Sequence, residues 1–214
     1  MRYATILFDL DGTLIDSIEL ILESYRHTMR VHRGDAMSDA LWLEGLGTPL
    51  REQFKMFTDD PAEMEAMIAT YREWNMANHD TMVTAYPGAL ETIRDFHARG
   101  IRMGIVTSKN DRGLKRGLDL CGFNGFFDAL ITCDSLKESK PDPAPVRLAL
   151  ARLDADAATA LYVGDSPHDI AAGRDAGTAT AACLWGPFDR NRLAQEQPTH
   201  WLTTFADLSS LGAT

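Results

Sequence analysis

Two aspartates one residue apart, Asp9 and Asp11, stand at the end of an apolar run, Ala4–Phe8, and are followed at once by Gly12 and Thr13. In extended backbone, residues i and i+2 point the same way, so both carboxylates can face one pocket. Gly12 lets the chain turn away immediately. Carboxylates at the end of a buried strand are costly to desolvate unless something compensates them. Three further stretches offer compensation: Thr107-Ser108-Lys109, Lys140-Pro141-Asp142-Pro143, and Gly164-Asp165-Ser166-Pro167-His168-Asp169. If they converge, Asp165 and Asp169 bring four carboxylates to one place, and these repel one another unless a cation sits among them. A few hard oxygen ligands, with room left for waters and a phosphate, suit Mg2+. A carboxylate such as Asp9 can attack phosphorus and form an aspartyl-phosphate. Lys140 and the metal would reduce its repulsion from an anionic phosphate. Thr107 adds a hydroxyl, and the amides around it can cradle phosphate oxygens. Asp11 can protonate the leaving oxygen and then take a proton from the attacking water.

These stretches must be brought together by the elements that carry them. Five apolar, β-branched runs predict buried strands: Ala4–Phe8, Ile101–Thr107, Ala129–Thr132, Ala160–Val163 and Ala179–Leu184. Helical patterns over Arg112–Leu120, Ala144–Arg152 and Asp169–Ala176 alternate with the last four. That alternation predicts an α/β fold, a parallel Rossmann-like sheet with helices on both faces. The chemistry-bearing stretches then meet at the carboxyl edge of the sheet, although Asp9 and Asp165 are far apart in sequence. The first strand is separated from the second by a long segment that reads as helical from Asp16 to Val83. In it Ile18, Ile21, Leu22 and Tyr25, and again Met64, Met67, Ile68 and Tyr71, recur at spacings of 3 and 4. We expect an α/β core of residues 1–15 and 85–214 and an inserted all-helical cap of residues 16–84. Tyr86-Pro87-Gly88 marks the return to the core.

Together these motifs resemble the haloacid dehalogenase-like hydrolases, over essentially the whole chain and in the same order. The resemblance implies that Asp9 is the nucleophile and a Mg2+ ligand. It implies that Asp11 is the general acid/base and binds metal through its main-chain carbonyl. Thr107, with Ser108 beside it, would bind the phosphate, and Lys140 would stabilise charge. Asp165 would be a metal ligand, and Asp169 would support the metal shell and the lysine. The helical insert is similar to the family's cap. Dehalogenases of the family lack the second aspartate, so the presence of Asp11 favours phosphoryl chemistry. The sugar-phosphate mutases have Glu-Asp where this chain has Gly164-Asp165, which lowers that reading. "YPGALETIRDF", "GIVTSKN", "SKPDPAP" and "VGDSPHDIAAGRDAG" are most similar to the phosphoglycolate phosphatase branch and its pyrophosphatase relatives of the PpaX type. Within the cap, "TYREWNMANHD" leans toward the pyrophosphatases. The expected substrate order is a small, phosphoglycolate-like phosphomonoester first and pyrophosphate second. Arg51 is a candidate cap cation for the leaving group, equally readable as a solvated helix arginine.

Composition bounds the alternatives. The 214 residues carry a net charge of -10, which argues against broad binding to nucleic acid or anionic membranes. Residues 16–84 hold 13 acidic and 6 basic side chains and so most of that acidity. No run reaches the roughly 18 apolar residues of a membrane span. The amino-terminal run leads into aspartates rather than a cleavage site, and the three cysteines are scattered. A cytoplasmic protein, monomeric or homodimeric, with a small phosphorylated substrate is expected. Walker, dinucleotide-binding and nucleophile-elbow motifs are missing. A non-catalytic regulator that binds a phosphorylated metabolite would predict a broken motif, such as a lost Asp9, and every motif position is intact.

Overall fold

The computed structural model describes residues 3–35 and 37–211. Its central sheet has six strands: β1 (Thr5–Phe8), β4 (Arg102–Val106), β5 (Ala129–Ile131), β6 (Ala160–Gly164), β7 (Ala179–Cys183) and β8 (His200–Leu202). All neighbours are parallel, in the order β5-β4-β1-β6-β7-β8. A central parallel strand is covered on both faces, which explains why β1 is buried at all four positions and reads as a continuous apolar run. Ile6 and Phe8 point to one face, toward α5 (Ala89–Ala98), α6 (Asp111–Cys121) and α10 (Phe205–Leu211), where they join Ile93, Phe96, Leu114 and Leu208. Leu7 points to the other, toward α7 (Ala144–Arg152) and α8 (Pro167–Ala176), with Val146, Leu150 and Ala172. A short helix, α9 (Arg190–Ala194), precedes β8.

The strand order decides where the site lies. From β1 the sheet grows outward through β4 and β5, and the chain then crosses to the other side of β1 to lay down β6, β7 and β8. Ligands gather at the carboxyl ends where such an order reverses. The register is even: Phe8 lies beside Ile105 of β4 and Val163 of β6. Asp9, Thr107 and Asp165 therefore leave the sheet within a residue or two of one another's level.

The five strands expected from the sequence are present with ends shifted by a residue or so. The segment read as helical throughout differs in detail. Asp16 belongs to β2 (Ile15–Asp16), which pairs antiparallel with β3 (Thr84–Ala85). The intervening chain folds as α1 (Ile18–Arg33), α2 (Asp39–Gly45), α3 (Leu50–Phe54) and α4 (Pro61–Met82). Ser38, Pro49 and Asp60-Pro61 start the last three; Ser38 and Asp60 accept amides there, and Pro supplies a preset φ. The helical periodicities have their partners. Ile21, Leu22, Tyr25, Met64, Met67 and Ile68 pack into one apolar cluster around Trp42, with Ile18 and Tyr71 at its margin. That cluster is distinct from the two that line the sheet.

No helix among the described residues is long and apolar enough to cross a membrane.

Candidate active site

At the carboxyl edge of the sheet the loops after β1, β4, β5 and β6 converge. Asp9 continues β1, its amide still bonded to the Val163 carbonyl at 2.9 Å. The next residues turn back at once. Gly12 has φ +83°, and a Cβ there would lie 2.4 Å from an Asp165 carboxylate oxygen. Only glycine meets both the turn and the close approach. The turn directs the Thr13 hydroxyl to Asp165 Oδ1 at 2.7 Å. Trp185, packed on Phe205, donates its indole N–H to the Thr13 carbonyl at 3.1 Å and holds the turn from beneath.

Lys140 lies at the centre. It is 2% exposed, as is Asp165, while Asp9 is 4% and Asp169 0% exposed. Its ammonium donates to Asp9 Oδ1 at 2.8 Å, to Asp169 Oδ1 at 2.6 Å and to the Val106 carbonyl at 3.3 Å. A buried ammonium with three donors needs about three acceptors, and it has them. Asp169 is fully used. Oδ1 also accepts from the Tyr162 hydroxyl at 3.0 Å, and Oδ2 accepts from the Ser166 hydroxyl at 2.6 Å and its amide at 3.1 Å. Ser166 and Asp169 form a reciprocal capping box that starts α8, so the helix start also fixes the carboxylate that faces Lys140. By contrast, Asp9 Oδ2 and Asp165 Oδ2 have no hydrogen-bond donor among the described residues.

One ammonium for three buried carboxylates leaves negative charge uncompensated. Ligand oxygens of Asp9, Asp165 and Asp169 lie within 4.8 Å of one another. Burial pushes the Asp9 carboxyl from 3.8 up to about 7, with Lys140 pulling it down and Asp169 and Asp11 pushing it further up. Asp165 is driven well above the carboxylate range by burial, then by the charges of Asp169 and Asp9. Burial also opposes ionisation of Asp169, but Lys140 and Ser166 outweigh it and hold that group below its ordinary value. The free oxygens of Asp9 and Asp165, in a cluster with surplus negative charge, fit a small divalent cation. Asp169 has no oxygen left to offer one.

Asp11 is arranged differently and stands outside the acidic cluster. Its Oδ1 accepts from Lys109 Nζ at 2.6 Å and from the Ser17 hydroxyl at 2.5 Å. Burial would raise its pKa, but Lys109 and Ser17 together bring it below the usual carboxylate value. Asp11 is therefore held ionised. Thr107 caps its own turn, its hydroxyl accepting the Lys109 amide at 3.2 Å. The Ser108 hydroxyl is committed elsewhere: it donates to the Gly47 carbonyl, in the loop between α2 and α3, at 2.6 Å. A second tie joins the helical insert to the core at α6, where Arg116 donates to Asp80 at 2.8 Å and to the Met76 carbonyl at 2.6 Å.

A cleft of about 700 Å³ opens above these groups, lined from below by Asp9, Asp11, Thr107, Lys140 and Asp165 and from above by α4 and the loop around Gly47. The structure thus brings together Asp9, Lys140, Asp165 and Asp169, with Asp11 and Thr107 beside them. Arg51, the candidate cap cation, lines the cleft but is paired with Glu65 of α4. Thr13, Tyr162 and Ser166 were not assigned a role from the sequence. Ser166-x-x-Asp169 carries a capping-box pattern that could have exposed the last of these, and Thr13 lies within the first motif. Tyr162 reads only as a strand residue.

Residues 6–183 match the family described as "Haloacid dehalogenase-like hydrolase". The chain is 41% identical over 211 residues to "Pyrophosphatase PpaX" of Anoxybacillus flavithermus, a match that covers 99% of this chain and 97% of that one. It is 41% identical over 207 residues to "Pyrophosphatase PpaX" of Bacillus velezensis, covering 97% and 95%. Its fold superposes on the solved structure of "a predicted phosphoglycolate phosphatase" from Haemophilus somnus with a TM-score of 0.88, 25% identity and 99% coverage of both chains.

Proposed function

The chain belongs to the haloacid dehalogenase-like hydrolase family, and from that premise we propose that it is a Mg2+-dependent phosphohydrolase of small substrates, with inorganic pyrophosphate first among them. The observation that carries the reading is the buried Asp9–Lys140–Asp169 chain beside Asp165, with free oxygens on Asp9 and Asp165. Asp9, Asp165 and the Asp11 main-chain carbonyl would hold Mg2+, which would neutralise carboxylate charge and polarise the phosphoryl group. The remaining work falls to this chain's own side chains. Lys140 keeps Asp9 oriented and in the ionised form that attacks. An Asp9 oxygen forms a bond to phosphorus as the bond to the leaving oxygen breaks and the leaving group takes the electron pair. Water then attacks the aspartyl-phosphate, Asp11 accepts its proton, and the Asp9 carboxylate is regenerated. Thr107 and the amides around it hold the phosphoryl oxygens. The helices between β2 and β3 act as a cap that limits the substrate to a small molecule and excludes bulk water.

Two observations support placing pyrophosphate ahead of phosphoglycolate-like monoesters, against the order drawn from the sequence. The relatives at 41% identity, matched along nearly their whole length, bear the pyrophosphatase name. The state of Asp11 also fits. A leaving alkoxide is strongly basic and needs a proton from a general acid, whereas a leaving phosphate is a far weaker base. A residue held ionised by Lys109 and Ser17 serves the second case better. Phosphoglycolate remains the second reading because a structural relative of the same cap and core carries that name. Comparing kcat/KM for pyrophosphate, phosphoglycolate, sugar phosphates and nucleoside monophosphates tests the order; a nucleotide preferred over every smaller substrate would overturn the small-substrate reading.

Removal of metal gives a further expected result. Chelator should abolish turnover and Mg2+ restore it, while Ca2+, with its longer bonds and larger coordination number, restores little. The same site predicts a stability effect that needs no turnover. Asp9 titrates near 7 in the folded protein and near 3.8 when unfolded, so the metal-free fold loses stability as pH rises through that window. Asp165 shifts in the same direction. Asp11 and Asp169 shift downward, and their contributions change only at more acidic pH. Mg2+ should therefore raise Tm more at pH 8 than at pH 5. Full activity in chelator, or a Mg2+ effect on Tm larger at pH 5, would sink the assignment.

A further inference from the structure

Six cationic side chains line the cleft, and they divide by how they are used. Lys140 is bound to Asp9 and Asp169, Lys109 to Asp11, and Arg51 to Glu65. Arg72 of α4, Arg112 in the first turn of α6 and Lys137 in the loop after β5 line the same cleft with no ion pair or hydrogen bond among the described residues. Acidic residues outnumber basic ones by 31 to 21, and Arg26, Arg33, Arg116 and Arg174 all find carboxylates, while these three cations of the cleft do not. The three come from the cap and from two separate core segments, so the cleft, rather than sequence proximity, assembles them.

Arg72 is the best placed of the three. Tyr71, Arg72, Asn75 and Met76 share the face of α4 that looks into the cleft. Asn75, itself buried, donates to Ser24 of α1 at 3.0 Å and fixes the rotation of that face. The positive charge of Arg72 reaches the Cys133 thiol, in the loop after β5 on the opposite wall. Arg72, exposed on α4, thus lines the same cleft as Asp9 and Thr107. Asp134 and Glu138 line the same cleft, and neither forms an ion pair with Arg72.

We propose that Arg72, assisted by Arg112 and Lys137, forms the subsite for a second phosphate, so that this enzyme selects substrates whose leaving group is itself a phosphate. This rests on the phosphohydrolase reading and adds to it the residue that sets specificity. A planar guanidinium can bind two oxygens of a phosphate at once, and two further cations match the charge of a phosphate better than that of a single carboxylate. The cap as a whole is acidic, but of its acidic side chains only Glu52 is among the residues that line the cleft, and Glu52 is paired with Lys55. Arg72 touches the leaving group and takes no part in the attack at Asp9.

The test compares kcat/KM in Mg2+ for pyrophosphate, phosphoglycolate and p-nitrophenyl phosphate, whose leaving group carries no second anion. Arg72→Ala should lower the pyrophosphate value by about 30- to 100-fold and leave p-nitrophenyl phosphate within about 3-fold, with phosphoglycolate between them. Arg72→Lys should recover part of the loss, and Arg112→Gln and Lys137→Gln should each cost pyrophosphate less than Arg72→Ala does. In the Asp9→Asn background with Mg2+, Arg72→Ala should weaken imidodiphosphate binding in calorimetry by a similar factor and leave orthophosphate binding unchanged. Unaltered pyrophosphate turnover, an equal fall on all three substrates, or a larger fall on phosphoglycolate would each overturn the subsite. A wild-type enzyme that hydrolyses none of the three would overturn the phosphohydrolase reading and the subsite with it. One that hydrolyses p-nitrophenyl phosphate normally while Arg72→Ala discriminates nothing would remove the subsite alone.

Discussion

Asp9→Asn should reduce turnover of every substrate by at least about 10³-fold, because on the proposed mechanism it removes the atom that attacks phosphorus rather than one that assists. The fold should survive. Asparagine keeps an oxygen where Lys140 donates at 2.8 Å, and Lys140 retains Asp169 at 2.6 Å. Loss of one buried negative charge also relieves the crowding that pushes the Asp9 carboxyl up to about 7, so Tm of the metal-free variant should stay level or rise at pH 8. Acid-quenched wild-type enzyme should carry a phosphoryl group detectable by mass, and the variant none. A variant that retains even roughly a tenth of wild-type turnover, or that still forms the covalent species at Asp9, would end the nucleophile assignment.

Lys140→Met should damage both stability and activity. The methionine fills a similar volume but leaves Asp9 and Asp169 buried with no cation, at 4% and 0% exposure. Breaking a buried pair in this way typically costs about 3–5 kcal/mol, which for a chain of this size lowers Tm on the order of 10 °C. The carboxyls escape part of that cost by taking up protons, so the loss should be greater at pH 8 than at pH 5. Saturating Mg2+ should return part of the stability. Turnover should fall by at least about 10²-fold even where the protein is folded, since Asp9 loses both its orienting partner and the charge that favours its ionised form. Calorimetry and steady-state assays at both pH values would check this. A Tm within a degree or two of wild type at pH 8 would show that the Lys140 pair is not the organising contact of the site.

Much of this arrangement can be read in the chain itself, for physical reasons. Strands such as Thr5–Phe8 and Ala160–Gly164 are buried on both faces, so they are written as unbroken apolar runs. Polar residues that end such runs, Asp9, Thr107 and Asp165, then stand out by contrast. What escaped notice lacks that contrast. β8 is three residues at the sheet edge, and β2 and β3 are two residues each, too short for any period to register. Tyr162 lies inside a strand and resembles its apolar neighbours until its hydroxyl is seen on Asp169. The partners of cations are set by tertiary packing. Nothing local predicts that Arg51 is consumed by Glu65 while Arg72, equally charged, is left facing the cleft.

The placement of β1 in the middle of the sheet has a consequence for synthesis. The chain leaves the ribosome in the amino-to-carboxyl direction, so the strand that leads into Asp9 emerges before its two neighbours, β4 and β6, which follow roughly 100 and 155 residues later. Its backbone N–H and C=O groups and its apolar faces therefore wait unpaired through most of translation. The helical segment that emerges directly behind it has an apolar cluster of its own and can collapse early, close to the waiting strand. Lys140, Asp165 and Asp169 are all made late, so a nascent or prematurely terminated chain that ends before β6 has Asp9 without Asp165 or Asp169, the proposed metal ligand and the carboxylate that holds Lys140. On the proposed mechanism, phosphoryl chemistry therefore waits until β6 has been added beside β1.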